Sequence, residues 1–388
     1  MRLILLLFLL LTALGAWEML RHRRHRRRVP IRIHVNGSRG KSSVTRLIAA
    51  GLRQGGVRTL AKTTGSAARI IHTDGRETPV HRRGAPNIRE QLGIFRQAAR
   101  EGAEAIVLEC MAVRPDLQRV CEHRIVKATT GVITNVRPDH LEVMGPRLAD
   151  VAESLSGTVP CRGHLVTAER RFAPFLEEKA RRLESGFTLA DPDSVSRDDL
   201  VPFRYVEFAD NLSLALAVCE RAGVARETAL TGMWQVAPDV GAMVPRRFEV
   251  AGKRLEFLNL FAANDPESTA FVWEHLGLRE RPERAIALIN IRADRMRRSK
   301  DLAPLFGRQI AAAWYVLIGE QTKVFAEILR RERVPREKIV NLGGASAEAV
   351  WRTLVELAGD DTVVVGLGNI GGAGMALLDH MDQREGAA

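Results

Sequence analysis

Ile31-Arg-Ile-His-Val-Asn-Gly-Ser-Arg-Gly-Lys-Ser-Ser43 is the stretch that decides the fold. Ile31, Ile33 and Val35 alternate with polar residues, which is typical of a β-strand with two different faces. Two glycines then permit a tight turn, and apolar residues recur at helical spacing until Gly55-Gly56. A strand, a glycine turn and a helix in this order indicate a phosphate-binding loop.

The turn itself carries the groups that hold nucleotide phosphates. Backbone N–H groups at the helix start surround the phosphates, Lys41 reaches the β- and γ-oxygens, and the Ser42 hydroxyl binds Mg²⁺. Val35 stands where the common G-x-x-x-x-G-K-[ST] pattern has its first glycine, and an ordinary glycine-rich turn is the alternative. We predict that ATP binds the following residues, with Mg²⁺ held by Ser42 among them: Asn36, Gly37, Ser38, Arg39, Gly40, Lys41, Ser42 and Ser43.

The length and the charge of the chain limit the classes of protein to which it can belong. The chain has 388 residues, of which 46% are hydrophobic and 27% charged, and these globular values allow two domains. The net charge of +12 is uneven, because residues 1–32 carry eight arginines against Glu18 and account for +7. The four cysteines form no C-x-x-C pair and show no metal-ligand spacing, which is typical of reduced thiols in a cytosolic body.

The first twenty residues predict a transmembrane anchor. Leu3 to Leu20 is nearly all apolar, and about 18 residues is near the short limit for a membrane-spanning helix. Residues 21–30 form a basic juxtamembrane segment, whereas a signal peptide carries its charge before the apolar run. The positive-inside rule predicts a single pass through the cell membrane with a cytoplasmic catalytic body. We expect anionic lipids to attract the arginines, with a nucleic-acid-binding arm as the alternative.

Two further buried strands end in polar residues. Ala105–Glu109 is a continuous apolar run that ends in a carboxylate, and Arg137-Pro-Asp-His-Leu-Glu142 follows the apolar run 131–135. Ligands of open α/β sheets bind at the carboxyl ends of strands, so Glu109 and His140 are predicted to join Ser42 as Mg²⁺ ligands, or to act as charge partners for a transferring phosphoryl group. A merely solvated glutamate and an ordinary hydrogen-bonded histidine are the alternatives.

The predicted fold class is α/β, with one N-terminal transmembrane helix at residues 1–20. A P-loop-containing, mostly parallel sheet domain is expected at 31–245 and a smaller C-terminal α/β domain at 246–388. Val244–Val250 is predicted to be the linker between them. Gly366-Leu-Gly-Asn-Ile-Gly371 fits G-x-G-x-x-G, but the 17 residues beyond it are too few for another helix and strand, so a packing turn is expected.

These motifs resemble the Mur ligase superfamily, the ATP-dependent amide ligases that include folylpolyglutamate synthase. Residues 36–42 are similar to its G-T-x-G-K-[ST] loop, Glu109 to its metal-binding glutamate, and Thr134-Asn-Val-Arg-Pro-Asp-His-Leu-Glu142 to its T-N-x-x-x-D-H-L-D motif. Asp210-Asn211 resembles the adenine-side H-N, Pro245–Glu249 resembles P-G-R-x-E, and Asp294-Arg295 resembles the G-D-R loop.

The resemblance implies roles for individual residues. Asn211, Asp294 and Arg295 would bind the nucleotide, and the catalytic set comprises four residues: Lys41, Glu109, His140 and Arg247. Bidentate binding of carboxylate or phosphate is the role implied for Arg247 and Arg295, with ordinary surface charge as the alternative.

Two features depart from the superfamily. The phosphate loop begins within forty residues of the N-terminus, so no nucleotide-sugar domain is expected before it, and a peptidoglycan precursor is disfavoured as substrate. Ala149–Gly157 contains no lysine where the family carries a carbamylated one, so a second metal site is left open. The anchor, the arginine cluster and Glu109-Cys-Met-Ala-Val113 resemble the ligase subunits of poly-γ-glutamate synthases, the CapB/PgsB group.

That resemblance implies an enzyme that activates a carboxylate as an acyl phosphate and joins glutamate to a growing polyglutamate chain, beside small membrane subunits. A folylpolyglutamate-type ligase is one rival, although a soluble folate enzyme has no use for an anchor. A membrane-tethered P-loop ATPase that drives a partner without forming a bond is another. Aromatic residues make up only 5% of the chain, so we expect no nucleic-acid partner. Homo-oligomerisation is left open.

Overall fold

Two mainly parallel sheets contain most of the long apolar strands of the chain. A computed structural model describes residues 2–64, 68–82, 84–237, 245–261, 266–293 and 296–385. The chain divides into two units, Met1–Ala242 and Met243–Ala388, and each unit contains one of the sheets.

The first unit is built on eight strands. They are β1 (Ile31–Asn36), β2 (Thr59–Lys62), β3 (Arg69–Ile71), β4 (Glu77–Pro79), β5 (Ala105–Glu109), β6 (Thr130–Ile133), β7 (His164–Thr167) and β8 (Gly186–Leu189). Their order in the sheet is β4-β3-β2-β5-β1-β6-β7-β8. The pairs from β2 to β8 are parallel, and the β3–β4 hairpin extends the edge in antiparallel fashion. The mostly parallel sheet expected from the sequence is thus confirmed.

Helices cover this sheet. They are α1 (Arg2–Arg27), α2 (Lys41–Gln54), α3 (Glu90–Arg100), α4 (Pro115–Val120), α5 (Leu141–Met144), α6 (Leu148–Ser156), α7 (Ala173–Arg182), α8 (Arg197–Leu200), α9 (Ala209–Arg221) and α10 (Arg226–Met233). A π-helical turn at Cys121–Val126 continues α4. Helix α2 is the central one, because Leu47, Ile48 and Leu52 are fully buried among residues of the sheet and of α9 and α10.

The apolar N-terminal segment and the arginine cluster form one continuous helix, α1. The part Leu3–Arg27 is long and apolar enough to cross a membrane, and its most apolar window has a mean hydropathy of 2.3 with no residue buried in protein. Near its end, His22 packs edge-on against Phe95 of α3, and its Nε2 lies 2.8 Å from the carbonyl oxygen of Ile125. The basic segment is therefore mostly helical and docked on the first unit.

The described residues of the second unit form six strands and five α-helices. The strands are β9 (Arg246–Val250), β10 (Lys253–Asn259), β11 (Ala285–Ile291), β12 (Trp314–Gly319), β13 (Ile339–Asn341) and β14 (Asp361–Gly368). The helices are α11 (Pro266–His275), α12 (Met296–Arg308), α13 (Thr322–Arg331), α14 (Ala347–Leu357) and α15 (Ala373–Glu385). The sheet order is β13-β12-β11-β14-β10-β9, parallel except for the β9–β10 pair.

Two local predictions in this unit have clear outcomes. The linker predicted at 244–250 is wrong from Arg246 onward, because Phe248 pairs with Leu255 and anchors β9 as an edge strand among charged residues. The glycine pattern after 362 is a packing feature, since a Cβ at Gly366 would lie 2.8 Å from the Phe261 ring. Helix α15 follows that turn, and the described chain contains no further strand after it.

Two helical glycines offer a matched test of packing around α2. A Cβ at Gly51 would lie 2.7 Å from Cys219 Sγ and 2.9 Å from Met233 Cε, whereas a Cβ at Gly93 on α3 would meet nothing within 4 Å. We expect Gly93→Ala to raise the free energy of unfolding by about 1 kcal/mol through helix propensity. Gly51→Ala should lower it by about 1–3 kcal/mol through overpacking. Denaturant unfolding of both full-length variants measures the difference, and shifts of the same sign would contradict this account of α2.

Candidate functional site

The phosphate loop (residues 36–43) joins β1 to α2 through two glycines in the left-handed region. Gly37 has a φ of 132° and Gly40 a φ of 79°, values that only glycine adopts at little cost. A Cβ at Gly37 would collide with the Thr134 hydroxyl, and one at Gly40 would lie 2.5 Å from Asn211 Oδ1. Both glycines are thus needed for the turn and for the close approach of neighbouring segments.

The residues after β6 form a bracing loop (residues 134–137) that holds the phosphate loop. Thr134 Oγ1 donates to the Arg39 carbonyl at 2.6 Å, and Arg39 N donates to Asn135 Oδ1 at 3.1 Å. Ser38 N donates to the Asn135 carbonyl at 3.1 Å, and the Ser38 hydroxyl donates to the Arg137 carbonyl at 2.9 Å. These bonds orient the loop backbone, so its N–H groups need little reorganisation to receive an anion.

Glu109 ends β5 beside the first turn of α2. Its Oε2 accepts hydrogen bonds from the Ser42 hydroxyl at 2.9 Å and from Thr64 N at 2.7 Å. The residue is only 3% exposed, yet no ion pair is found for it within the described ranges. Lys62 ends the neighbouring strand, but its Nζ pairs with Glu90 at 2.9 Å. A buried carboxylate beside a hydroxyl, with no basic side chain to balance it, fits a divalent cation.

Lys41 directly precedes Ser42, the hydroxyl partner of this carboxylate, and it is held by its own loop. Its Nζ donates to the carbonyl oxygens of Gly37 at 2.7 Å and Ser38 at 3.1 Å. The ammonium group therefore lies over the loop backbone. This position suits a lysine that exchanges carbonyl partners for phosphate oxygens.

Asn36 is predicted to contact the nucleotide, but its side chain forms hydrogen bonds with buried protein groups. Asn36 Nδ2 donates to Gln118 Oε1 at 2.9 Å and to Thr158 Oγ1 at 3.1 Å, and all three residues are buried. The network ties β1 to α4 and to the segment after α6. Ser43, in the first turn of α2, is half-buried, and its predicted contact with the nucleotide stays a prediction.

His140 lies in a strained position at the start of α5. Its φ of 42° is in the left-handed region, and its ring contacts Asp139 at 3.8 Å and Glu142 at 3.4 Å. No bond from His140 to Ser42 or Glu109 is found in the part of the chain that the structure describes. No group of three or more His, Cys, Asp and Glu residues there could hold a metal ion. The geometry brings together only Ser42 and Glu109 of the three predicted ligands, so the metal role of His140 stays a prediction.

Asn211, in the first turn of α9, is held against the phosphate loop by a buried glutamate. Asn211 Nδ2 donates to Glu207 Oε1 at 2.8 Å, and Asn211 Oδ1 faces Gly40. Glu207 is 3% exposed, and burial raises the pKa of its carboxyl group. Sequence reasoning missed Glu207, which precedes Asn211 by four residues and belongs to no motif. It also missed Thr64 as a partner of Glu109, although Thr64 lies only two residues beyond the end of β2.

The remaining predicted residues belong to the second unit. Arg247 on β9 has a side chain that is 82% exposed, with Nε 3.5 Å from Glu256 Oε1. Asp294 and Arg295 lie outside the described residues. The roles of these three residues stay predictions.

Comparison with protein families and known sequences gives consistent results. Residues 35–155 match the Mur ligase middle domain, and residues 246–384 match the C-terminal domain of the poly-gamma-glutamate synthase CapB. The chain is 38% identical over 374 residues to the capsule biosynthesis protein CapB of Bacillus anthracis, covering 96% of this chain and 80% of that protein. It is 36% identical over 373 residues to the PGA synthase CapB of Bacillus subtilis strain 168, covering 95% of each.

Solved structures share the fold at low sequence identity. A bifunctional folylpolyglutamate synthase/dihydrofolate synthase from Yersinia pestis, complexed with AMPPNP and Mn ion, matches with a TM-score of 0.65 and 14% identity, over 94% of this chain and 93% of that one. MurF from Acinetobacter baumannii matches with a TM-score of 0.63 and 15% identity, over 97% of this chain and 80% of that one. These likenesses establish the fold and are consistent with the α/β architecture predicted from the sequence.

Alanine at Gly37 tests the close approach of the bracing loop. Gly37→Ala should weaken ATP binding by about tenfold or more, because the new Cβ displaces Thr134 as well as straining the backbone. Gly56→Ala is the matched control, since Gly56 also has a positive φ of 82° but would place its Cβ in open space. Calorimetric titration with ATP measures both variants, and melting curves verify folding. Equal weakening in the two variants would show that steric contact with Thr134 is irrelevant.

The buried Glu207 predicts a pH-dependent effect on stability. Its folded-state pKa is raised by burial, so the stabilisation of the protonated form is complete below the unfolded-state pKa and is lost as pH rises through the folded-state pKa. Glu207→Gln keeps an oxygen for Asn211 without the charge. We expect this variant to melt at a higher temperature than the unaltered protein at about pH 8, with the gap closing near pH 4.

Glu177 on α7 provides the control for this experiment because its side chain is exposed. Glu177→Gln should melt like the unaltered protein at both pH values. A melting difference for Glu207→Gln that is the same at both pH values would rule out titration of Glu207 as its cause.

Proposed function

The chain belongs to the CapB family of poly-γ-glutamate synthases, within the Mur ligase superfamily, and we propose that it is a membrane-anchored ligase that joins glutamate units into poly-γ-glutamate. The similarity to two CapB proteins over at least 95% of the chain confirms the resemblance inferred from the motifs. The chain is accordingly an ATP-dependent amide ligase that uses a divalent metal, and we propose that this metal is Mg²⁺.

The observation that carries the proposal is the contact between Ser42 and Glu109 at the start of α2. It places a hydroxyl and a buried carboxylate beside a backbone turn suited to phosphates. Both oxygens are hard ligands of the kind that Mg²⁺ prefers, and phosphate oxygens and water complete such a site. Bound there, Mg²⁺ would supply positive charge to the β- and γ-phosphates. Lys41 would neutralise the charge that develops as the γ-phosphoryl group moves.

The proposed reaction has two steps. A substrate carboxylate oxygen attacks the γ-phosphorus, the bond to the bridging oxygen breaks, and ADP leaves. The amino group of the next substrate then attacks the acyl carbon, phosphate leaves, and the nitrogen loses a proton to form the amide. In the first step the phosphate loop binds and orients the nucleotide. Arg247 is proposed to bind a carboxylate or phosphate group.

We propose that α1 anchors the protein in the cell membrane in a single pass, with the catalytic body in the cytoplasm. The apolar run precedes the arginine cluster, which the positive-inside rule places on the cytoplasmic side. Glutamate and the growing chain are the proposed substrates. Small membrane subunits of a synthase complex and anionic lipids are the proposed partners.

Two rivals make different predictions. A folylpolyglutamate-type ligase shares the fold, but the solved example described above is only 14% identical to this chain, against 38% and 36% for the CapB proteins. A tethered ATPase would hydrolyse ATP without an amino-acid requirement.

The decisive assay supplies full-length protein in membranes with ATP, Mg²⁺ and single amino acids, and reads phosphate release and product mass. We expect phosphate release to depend on glutamate and products to be spaced by one glutamyl residue. Lys41→Ala should abolish both because the phosphate loop loses its only lysine. Lys323→Ala, at an exposed site on α13, should retain both. Phosphate release that is indifferent to every amino acid, without a new amide, would leave the tethered ATPase as the better account.

A further inference from the structure

Helices α1 and α3 line an open cavity of about 540 Å³ on the first unit. Its walls come from residues 11–25 of α1 and from α3 with the residue that precedes it. None of the residues assigned to ATP or metal binding lines this space, so it is distinct from the phosphate loop.

One end of the cavity is apolar. Leu11, Leu14 and Trp17 line it, and each of these side chains is more than half exposed to solvent. All three belong to the part of α1 proposed to lie in the bilayer. Lipid acyl chains rather than water would then cover this end of the cavity.

The other end is cationic. Arg21, Arg89 and Arg96 line it against a single carboxylate, Glu18, whose Oε2 lies 3.0 Å from Arg89. The Arg21 guanidinium lies 4.8 Å from the centre of the Trp17 ring, at the boundary between the two ends. Arg96 has no ion pair within the described ranges. The cavity therefore carries a net positive charge beside an apolar wall.

Two buried polar atoms in the lining are left without a hydrogen-bond partner in the described structure. They are Arg96 Nε, which is a donor, and Nδ1 of His22, a residue that is only 3% exposed. His22 Nε2 lies 2.8 Å from the Ile125 carbonyl and must carry the proton, so Nδ1 of the neutral ring is an acceptor. Buried polar atoms are rarely left unpaired, and this pair matches a ligand that offers both an anionic oxygen and a hydroxyl.

We propose that this cavity binds one anionic phospholipid whose headgroup carries a hydroxyl, of the phosphatidylglycerol type, a proposal that rests on the membrane anchoring of α1. The phosphate binds Arg21 and Arg96, and the headgroup hydroxyl donates to His22 Nδ1. The acyl chains lie along Leu11 and Leu14. A soluble phosphate ester or an acidic polymer would satisfy the arginines but would leave the leucines uncovered. The lipid joins α1 to α3 and so holds the first unit against the membrane.

The test measures lipid that stays bound to the full-length protein. Protein purified in detergent is incubated with phosphatidylglycerol, phosphatidic acid or phosphatidylcholine, and retained lipid is counted by native mass spectrometry. We expect one phosphatidylglycerol per chain, with weaker retention of phosphatidic acid, which lacks the glycerol headgroup and its alcohol hydroxyls, and none of phosphatidylcholine. Arg96→Gln should weaken phosphatidylglycerol retention by about tenfold, as the loss of one charge-assisted hydrogen bond predicts.

Matched variants distinguish a specific lipid site in the cavity from general electrostatic attraction of anionic lipid to the arginine cluster. Arg100→Gln changes the same helix one turn further on, and Arg23→Gln changes an exposed arginine of α1; neither residue lines the cavity. Both should retain phosphatidylglycerol within about twofold of the unaltered protein. Retention that is insensitive to Arg96→Gln but lost in Arg23→Gln would overturn the proposal in favour of diffuse electrostatics.

Competition with soluble anions shows whether the cavity prefers a lipid or a soluble phosphate or carboxylate. Membrane fractionation tests the anchoring of α1 separately from lipid binding in the cavity. Displacement of the lipid by equimolar glycerol 3-phosphate or poly-γ-glutamate would overturn the lipid assignment, whereas resistance to both supports it. Full-length protein that fractionates with membranes but retains no lipid would overturn the lipid site in the cavity and leave the anchoring of α1 intact. Protein that does not fractionate with membranes would overturn the proposed anchoring of α1 and, with it, the lipid site.

Discussion

The parallel pairing of β5, β1 and β6 is the constraint on which the site depends. Val35 of β1 pairs with Glu109 of β5, and Asn36 pairs with Ile133 of β6. Parallel strands end at a common edge, so this register delivers Glu109, the phosphate loop and the bracing loop to one place. A shift of one residue would turn the alternating side chains to the opposite face of the sheet, and Glu109 would no longer reach Ser42.

Charge balance at this edge explains why nucleotide and metal belong together. Glu109 is buried, and its described partners are a hydroxyl and a backbone N–H, while the buried Lys62 at the end of the neighbouring strand is paired with Glu90. Lys41 is occupied by carbonyl oxygens of its own loop. A polyphosphate alone would bring negative charge close to Glu109, and a cation alone would lack most of its oxygen ligands. Binding both together satisfies the carboxylate, the lysine and the backbone N–H groups at once.

The sequence predicts the parts of this arrangement that arise from local rules. The alternation of Ile31, Ile33 and Val35, followed by glycines and a helical period, predicts β1, the turn and α2, and the strand-end rule predicts the position of Glu109. The hydrogen bond from the Asn36 amide to Gln118 could not be predicted, because it depends on packing between segments that are distant in the chain. Glu207 could not be predicted for the same reason, because only the fold shows that it is buried and bonded to Asn211. Strand β9 was missed because a single inward residue, Phe248, gives too little periodicity.

In the proposed anchored state, the continuity of α1 determines how directly the membrane is coupled to the catalytic unit. Residues 3–20 span about 27 Å as a helix, close to the thickness of the hydrocarbon core of a bilayer. His22 is docked on α3 only two residues later, and no glycine or proline interrupts the helix from Leu20 to Arg27. A flexible linker would let the unit diffuse within a wide radius of its anchor. In the proposed anchored state, a helix docked within its first turn beyond the bilayer would instead hold the first unit, and the phosphate loop it carries, close to the membrane surface. The proposed ligase would therefore extend its polyanionic product beside the membrane in which its proposed partner subunits lie.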